Sequence, residues 1–429
     1  MQTHFSPEQL SDPKIKDAND ILRKCVHCGF CTATCPTFVE TGDERDSPRG
    51  RIWLMRELLE SPQTVSEDTR YHLDRCLGCQ SCMTTCPSGV DYIHLLEIGR
   101  EKMDLVAPRG LGDKLMRRML GMVIPYAGRF HMMMRFASLG RLFAPFLPRQ
   151  LQAALNKLPQ TLPELDMIGS QNKIFSAHKS QPIMRVVLLA GCAQRALDPA
   201  INQSTIRVLN QLGVEVVVRA EAHCCGALTQ HIGETDFAHK TIRLAIDAWY
   251  EEINDQGVDA IIANASGCGT MVKDYGHVMA DDPAYAAKAR HVSALCKDIS
   301  EIINDIGIDD IITPIKDGAR PVIAYHSACS LQHGQKIHDL PQNLLRHAGF
   351  DVRQPVNGHL CCGSAGVYNI LQPDMADSLK ARKKDSLVNT GADYVAAGNI
   401  GCIAQLDDTA LPVRHTVQFI DWASGGPKP

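Results

Sequence analysis

Eight cysteines in the first hundred residues fall in two runs of identical spacing, and that spacing restricts what this part of the chain can become. The first run is Cys25-Val-His-Cys28-Gly-Phe-Cys31-Thr-Ala-Thr-Cys35-Pro36, and the second is Cys76-Leu-Gly-Cys79-Gln-Ser-Cys82-Met-Thr-Thr-Cys86-Pro87. Both read CxxCxxCxxxCP. The 429 residues hold 17 cysteines, an odd number that intramolecular disulfides cannot consume. The first residues, Met1 to Glu8, carry neither a basic stretch nor an apolar one, so no secretory signal is expected. The expected compartment is therefore a reducing cytoplasm, where clustered cysteines serve as metal ligands or catalysts.

Three thiolates two residues apart can wrap one corner of an iron–sulfur cube, and the fourth cysteine, three residues further on, is carried away by the chain. In two-cluster ferredoxins that fourth cysteine ligates the other cluster. The rule predicts two 4Fe-4S clusters, one held by Cys25, Cys28, Cys31 and Cys86, the other by Cys76, Cys79, Cys82 and Cys35. Structural zinc also uses CxxC pairs, but commonly as two separated pairs rather than three cysteines in close succession. Between the runs, Ser47 and Pro48 read as the N-cap and first residue of a helix on which Ile52, Met55 and Leu59 share a face. An insert of this kind predicts a helical two-cluster ferredoxin domain. Trp53, on the same helix, is expected in the core rather than as an electron relay.

Eight further cysteines form an internal repeat. One unit holds Cys192, Cys224-Cys225-Gly226 and Cys268; the other holds Cys329, Cys361-Cys362-Gly363 and Cys402. Corresponding cysteines are offset by 137, 137 and 134 residues. Short apolar runs precede them: Val186–Ala190 and Val214–Val218, then Ala260–Ala263, with Val322–Tyr325 and Tyr394–Ala397 in the second unit. Helical stretches such as 241–250 lie between, which predicts parallel α/β layers with cysteines at the strand ends, where open sheets place ligands. Four soft ligands per unit suffice for one iron–sulfur cluster or one zinc, and a redox-inactive thiol set is the alternative. His223 and His359, beside the two pairs, are expected to be loop residues. Cys296 stands outside the repeat and is expected to be a small buried hydrophobe.

Residues 109–150 hold eight Lys or Arg against one acid, Asp113, together with six methionines and Phe130, Phe136, Phe143 and Phe146. Such a stretch suits a partner subunit, a bilayer interface or ordinary packing between domains. The formal charge of −4 argues against a nucleic-acid binder, and no apolar run approaches the length of a membrane span. Neither a G-x-G-x-x-G fingerprint nor a Gly-Lys dipeptide is present.

The text Lys24 to Pro36, then Asp46-Ser-Pro-Arg-Gly-Arg51, Leu73-Asp-Arg-Cys-Leu-Gly-Cys79 and Thr84-Thr-Cys-Pro-Ser-Gly89, followed by two Cys-Cys-Gly units, resembles the iron–sulfur subunits of glycolate oxidases over nearly the whole chain. More distantly it is similar to electron-transfer subunits of anaerobic glycerol-3-phosphate dehydrogenase and to heterodisulfide reductase subunits. The resemblance implies an α+β multidomain protein: a two-cluster ferredoxin-type domain over 1–105, a basic Met- and Phe-rich linker over 106–182, and Cys-Cys-Gly modules over 183–312 and 313–429. It implies an electron-transfer role beside flavin-containing subunits that oxidise glycolate to glyoxylate, on the cytoplasmic face of the membrane, with electrons passing toward a quinone. Glycerol-3-phosphate or D-lactate dehydrogenation, or disulfide cleavage by the Cys-Cys-Gly units, are the alternative roles. In heterodisulfide reductases each module ends in CxxC; here the first cysteine of that pair is Ala265 or Asn399. The eight repeat cysteines are thus expected as additional cluster or metal ligands, and the isolated chain is not expected to oxidise glycolate.

Overall fold

The structure, a computed structural model, describes residues 1–140, 148–158, 161–313, 320–408 and 410–429. Arg141, Phe143 and Phe146 of the basic stretch lie outside the described residues. The chain divides into two compact units, Met1–Arg118 with His359–Lys383, and Met119–Gly358 with Lys384–Pro429.

The smaller unit is built on three helices, Pro13–Lys24, Pro48–Glu60 and Tyr92–Val106. The first two start as capping rules dictate. Asp12 accepts from the Lys14 amide at 2.9 Å and Ser47 from the Gly50 amide at 2.9 Å, each with proline at the first helical position. Ile52, Met55 and Leu59 are buried together with Ala18, Leu22, Leu95 and Leu96. Trp53 does not join them. It is 49% exposed, with the Arg56 guanidinium 3.9 Å above its ring. The expectation of a core residue fails because position 53 lies one residue, about 100°, beyond the face that Ile52, Met55 and Leu59 define.

The larger unit holds two sheets. The first contains β1 (Lys173–Phe175), β2 (Met184–Leu189), β3 (Val214–Val218), β4 (Ala260–Ala263) and β5 (Cys296–Asp298), in the order β1-β3-β2-β4-β5. Only β1 runs antiparallel to its neighbour. The second contains β6 (Val322–His326), β7 (Asp351–Arg353), β8 (Tyr394–Ala397) and β9 (Val413–His415), all parallel, in the order β7-β6-β8-β9. The central strands are apolar and buried, as expected where helices cover a parallel sheet. The repeat is thus present in topology: β3-β2-β4 and β7-β6-β8 have the same order. The helix expected over 241–250 runs from Thr235 to Asp255 and buries Trp249 completely. Cys296 lies in β5 and is buried.

The two repeats also bond to one another within this unit. The Ser266 amide, just after β4, donates to the Gly398 carbonyl, just after β8, at 2.9 Å. Ser204 Oγ donates to the fully buried carboxylate of Asp421 at 2.8 Å.

The basic stretch is largely helical, over Leu111–Val123, Ala127–Leu139 and Arg149–Asn156. Two of its cations are already engaged: Arg109 donates to Asp74 at 2.8 Å, and Arg117 donates to Asp113 at 3.1 Å. Leu111 and Leu115, at 87% and 69% exposure, and Met132 and Phe136 face solvent. Among the described residues no helix is long and apolar enough to cross a membrane.

One buried histidine gives this fold a pH dependence. His415, at the end of β9, caps the helix Thr416–Ala423: its Nδ1 accepts from the Val417 amide at 3.1 Å. Burial pushes its pKa down to about 4. A folded-state value below the ordinary 6.5 means that the unfolded chain binds the proton more readily. The stabilisation is therefore complete above pH 6.5 and is lost as pH falls toward 4, roughly 3 kcal/mol in total. The expected outcome is a thermal midpoint that drops across this window, with a shallower drop in His415→Asn, which keeps an acceptor without the titration. Calorimetry of both proteins from pH 7 to pH 4 checks it.

Candidate functional site

In the smaller unit the chain brings the last cysteine of the first run to the second run. Cys25 ends the helix Pro13–Lys24, and Cys35 precedes Pro36 at the start of the helix Pro36–Thr41. The proline that follows the first run therefore opens a helix. Cys35 lines one small cavity with Cys76, Cys79 and Cys82, so the last cysteine of the first run sits with the first three of the second. Thr85, which precedes the final cysteine of its run, donates from Oγ1 to Thr34 Oγ1, which precedes the final cysteine of the other, at 3.3 Å. Cys25 is buried, Cys31 and Cys86 are partly buried, and Cys28 is exposed.

The chemistry of this thiol set suits a multiply charged metal cluster. Burial first, and then neighbouring thiols, push Cys79 and Cys82 far above the ordinary thiol range, and burial pushes Cys31 up to about 11. Thiols so placed ionise only when a cation compensates them, which iron does. Directed donors already point at the sulfurs. The Gly78 amide lies 3.5 Å and the Tyr92 hydroxyl 3.6 Å from Cys76 Sγ.

A cation that the spacing rules did not single out lies beside the same cavity. Arg51 is 1% exposed, and its Nη1 lies 3.9 Å from Cys35 Sγ. Burial works against its charge. The opposing influence of Cys76, Tyr92, Cys35 and Asp46 is larger and raises its pKa. Its guanidinium also donates to the His72 carbonyl at 2.7 Å, Thr37 Oγ1 at 3.1 Å and Asp46 Oδ1 at 3.2 Å. Asp46, fully buried, further meets His72 Nδ1 at 2.9 Å and Arg75 at 2.8 Å. The turn that sets this up tolerates no side chain at Gly50, where an added Cβ would stand 2.0 Å from the Glu44 carbonyl oxygen. The run Asp46 to Arg51 therefore supplies a buried anion, a cap, a close approach and a buried cation in succession. The only available sequence signal was a Gly flanked by two arginines beside a helix start.

In the larger unit the first repeat assembles a second thiol set at the ends of adjacent parallel strands. Cys192 follows β2, Cys224 and Cys225 follow β3, and Cys268 lies in the helix Ser266–Lys273 after β4. Cys224 Sγ lies 3.7 Å from Cys192 Sγ, and Cys225 hydrogen-bonds with both Cys224 and Cys268. The four thiols thus form one continuous chain. The contact with Cys224, and then burial, push Cys192 well above the ordinary thiol range. Gly226, at φ +82°, turns its amide back onto Cys224 Sγ at 3.4 Å, a backbone state that favours glycine. His223 stacks on Tyr126 with ring centroids 5.1 Å apart and bonds to the Glu221 carbonyl, so it is a loop residue as expected.

In the second repeat Cys329 follows β6, and Cys402 lies in the helix Ile400–Leu406 after β8, placements equivalent to Cys192 and Cys268. Cys361 and Cys362 are buried, and His359 beside them is partly buried; all three belong to the stretch His359–Lys383 of the smaller unit. Asn399, at one position where a fifth cysteine is missing, donates through Nδ2 toward Cys402 Sγ at 3.5 Å.

A 4Fe-4S dicluster domain matches residues 21–90, and a cysteine-rich domain matches twice, over 186–273 and 323–407. The glycolate oxidase iron–sulfur subunit of Escherichia coli is 39% identical over 424 residues, 99% of both chains. A probable glycolate oxidase iron–sulfur subunit of Bacillus subtilis is 30% identical, covering 90% of this chain and 88% of its own. Lactate utilization protein A of Bacillus cytotoxicus is 25% identical over 52% of this chain and 90% of its own. A hypothetical protein from Helicobacter pylori shares the fold, with a TM-score of 0.52 at 10% identity, over 97% of this chain and 73% of that one.

The cofactors are iron–sulfur clusters, and the buried Arg51 charge lies beside Cys35 and lines the same cavity. Arg51→Gln should lower the potential of one of the two ferredoxin-type clusters by at least the equivalent of a tenfold change in its reduction equilibrium, about 59 mV for one electron. Arg51→Lys should retain most of the wild-type value. A redox titration followed by electron paramagnetic resonance, with iron content measured in parallel, checks both.

Proposed function

The chain belongs to the family of glycolate oxidase iron–sulfur subunits, and from that premise we propose that it carries electrons away from flavin-containing partner subunits that oxidise glycolate to glyoxylate. The observation that carries this reading is the 39% identity to the E. coli subunit across 99% of the chain. Each cluster, when bound, accepts and releases one electron at a time. In this proposal Cys25, Cys28, Cys31 and Cys86 hold one cluster, and Cys76, Cys79, Cys82 and Cys35 the other. The eight repeat cysteines, Cys192, Cys224, Cys225 and Cys268 with Cys329, Cys361, Cys362 and Cys402, hold further metal centres.

The protein's own contribution is to place, shield and bias these centres. Arg51 and the Tyr92 hydroxyl stabilise added negative charge beside the deeper cysteine set, so that set is the better resting place for an electron. The other set reaches the surface at Cys28, where Val26 and Phe30 are 68% and 62% exposed, with Trp53 also exposed. An apolar rim around an exposed ligand is a suitable place for a redox partner to dock, since close approach without intervening water favours transfer. Electrons then leave toward a respiratory acceptor such as a membrane quinone. The exposed apolar residues of the helices Leu111–Val123 and Ala127–Leu139 support a contact with a partner or with the bilayer interface on the cytoplasmic face.

A second reading, lactate in place of glycolate, is favoured by the match to lactate utilization protein A. Both readings place substrate oxidation on other chains. The purified chain alone is expected to show no glycolate-dependent dye reduction, and co-expression with its flavoprotein partners is expected to restore it. Glycolate turnover by the isolated chain overturns the proposal, and a co-purified complex that oxidises lactate but not glycolate selects the second reading.

A further inference from the structure

The two repeats differ at one position that faces the thiol-bearing end of the sheet. In the first repeat Leu189 pairs with Ala263, and Cys268 lies five residues beyond that alanine. In the second repeat His326 pairs with Ala397, and Cys402 lies five residues beyond. Strand order and register are the same, so His326 occupies the place of Leu189. Leu189 is 2% exposed and His326 is 1% exposed, so an apolar position has been given to an imidazole.

That imidazole finds no hydrogen-bond partner at either Nδ1 or Nε2. Buried ring nitrogens are ordinarily satisfied, since leaving them bare forfeits the bonds they make with water. A ring nitrogen of His326 and Cys402 Sγ lie within 4.8 Å of one another, close enough for both to reach one metal centre. Cys329, three residues beyond His326, begins the helical turn that follows the same strand. The larger unit thus brings an imidazole and a thiol together from the ends of two paired strands, with Cys329 on the chain just after the imidazole. Neutral imidazole joins thiolates readily as a ligand of iron and zinc.

We propose that His326 is a nitrogen ligand to an iron–sulfur centre in the second repeat, making that centre chemically different from the all-thiol set of the first. The inference rests on the reading that the repeats hold clusters. A centre that binds His326 at a coordination position one of the repeat's four thiolates would otherwise take carries less negative charge and has a higher potential, as histidine ligation gives in other iron–sulfur proteins. The second repeat is then the more oxidising of the two.

The test uses the full chain purified without oxygen, with histidine labelled in 15N. Iron content above that of the two ferredoxin-type clusters, with a directly bonded nitrogen coupling in pulsed electron paramagnetic resonance, is the expected result. His326→Leu, which installs the residue the first repeat uses, should fold, lose that coupling and lose or alter one centre. His326→Cys should retain the centre at a lower potential. A nitrogen coupling that survives unchanged in His326→Leu overturns the assignment of His326 while leaving the clusters in place. Iron no greater than the two ferredoxin-type clusters contain overturns the cluster reading of the repeats and this inference with it. Zinc that is lost on His326→Leu overturns the iron–sulfur identity of the centre.

Discussion

Removing several thiols from water at one point is unfavourable unless a strong positive charge shares the space, and the architecture of this protein follows from that constraint. In the smaller unit Cys35, Cys76, Cys79 and Cys82 face a common cavity, drawn from two runs separated by the helix Pro48–Glu60. Neither run encloses that cavity alone. The helix between them must therefore be placed correctly, which explains the density of directed interactions at its start: the Ser47 cap, the side-chain-free approach at Gly50 and the buried pair of Arg51 with Asp46. A buried ion pair of this sort contributes little net stability. Its value here is the orientation of a fixed charge beside the sulfurs.

The same constraint is met differently in the larger unit. There the thiols sit at the ends of parallel strands, where the loops have freedom and the strands supply rigidity. Cys192, Cys224, Cys225 and Cys268 form one chain of sulfur contacts on such an edge, with the Gly226 amide turned onto one of them. The second repeat presents a corresponding edge that differs in detail: His326 occupies the place that Leu189 has in the first, and Asn399 reaches toward Cys402.

The ligand-bearing parts of the molecule were legible because metal chemistry imposes spacing on sequence. The cysteine runs, the repeat offset, the five central strands and the Ser47–Pro48 helix start all have local signatures, and each is found where those signatures put it. The edge strands β1, β5, β7 and β9 escaped because three-residue strands carry too little pattern to distinguish them from loops. Trp53 was misjudged because a large aromatic residue suggests a core, whereas its angular position on the helix decides its exposure. Arg51 and His326 were passed over for a common reason. An arginine or histidine reads as a surface residue until burial is known, and burial arises from contacts far apart in sequence.

The stretch His359–Lys383 bears on how the protein is made. It packs with the N-terminal unit: the Tyr368 hydroxyl donates to the Arg75 carbonyl at 2.9 Å, and Arg382 pairs with Glu40 at 2.5 Å. A ribosome translating this message releases both ferredoxin-type runs early, but the segment that completes their packing begins 273 residues after Cys86. For most of synthesis the first eight cysteines are therefore held by an incomplete shell. Cluster loading before release must act on that open shell, and loading afterwards must act on a closed one. The order of the chain thus sets a window in which the iron delivery machinery has its freest access to these sulfurs.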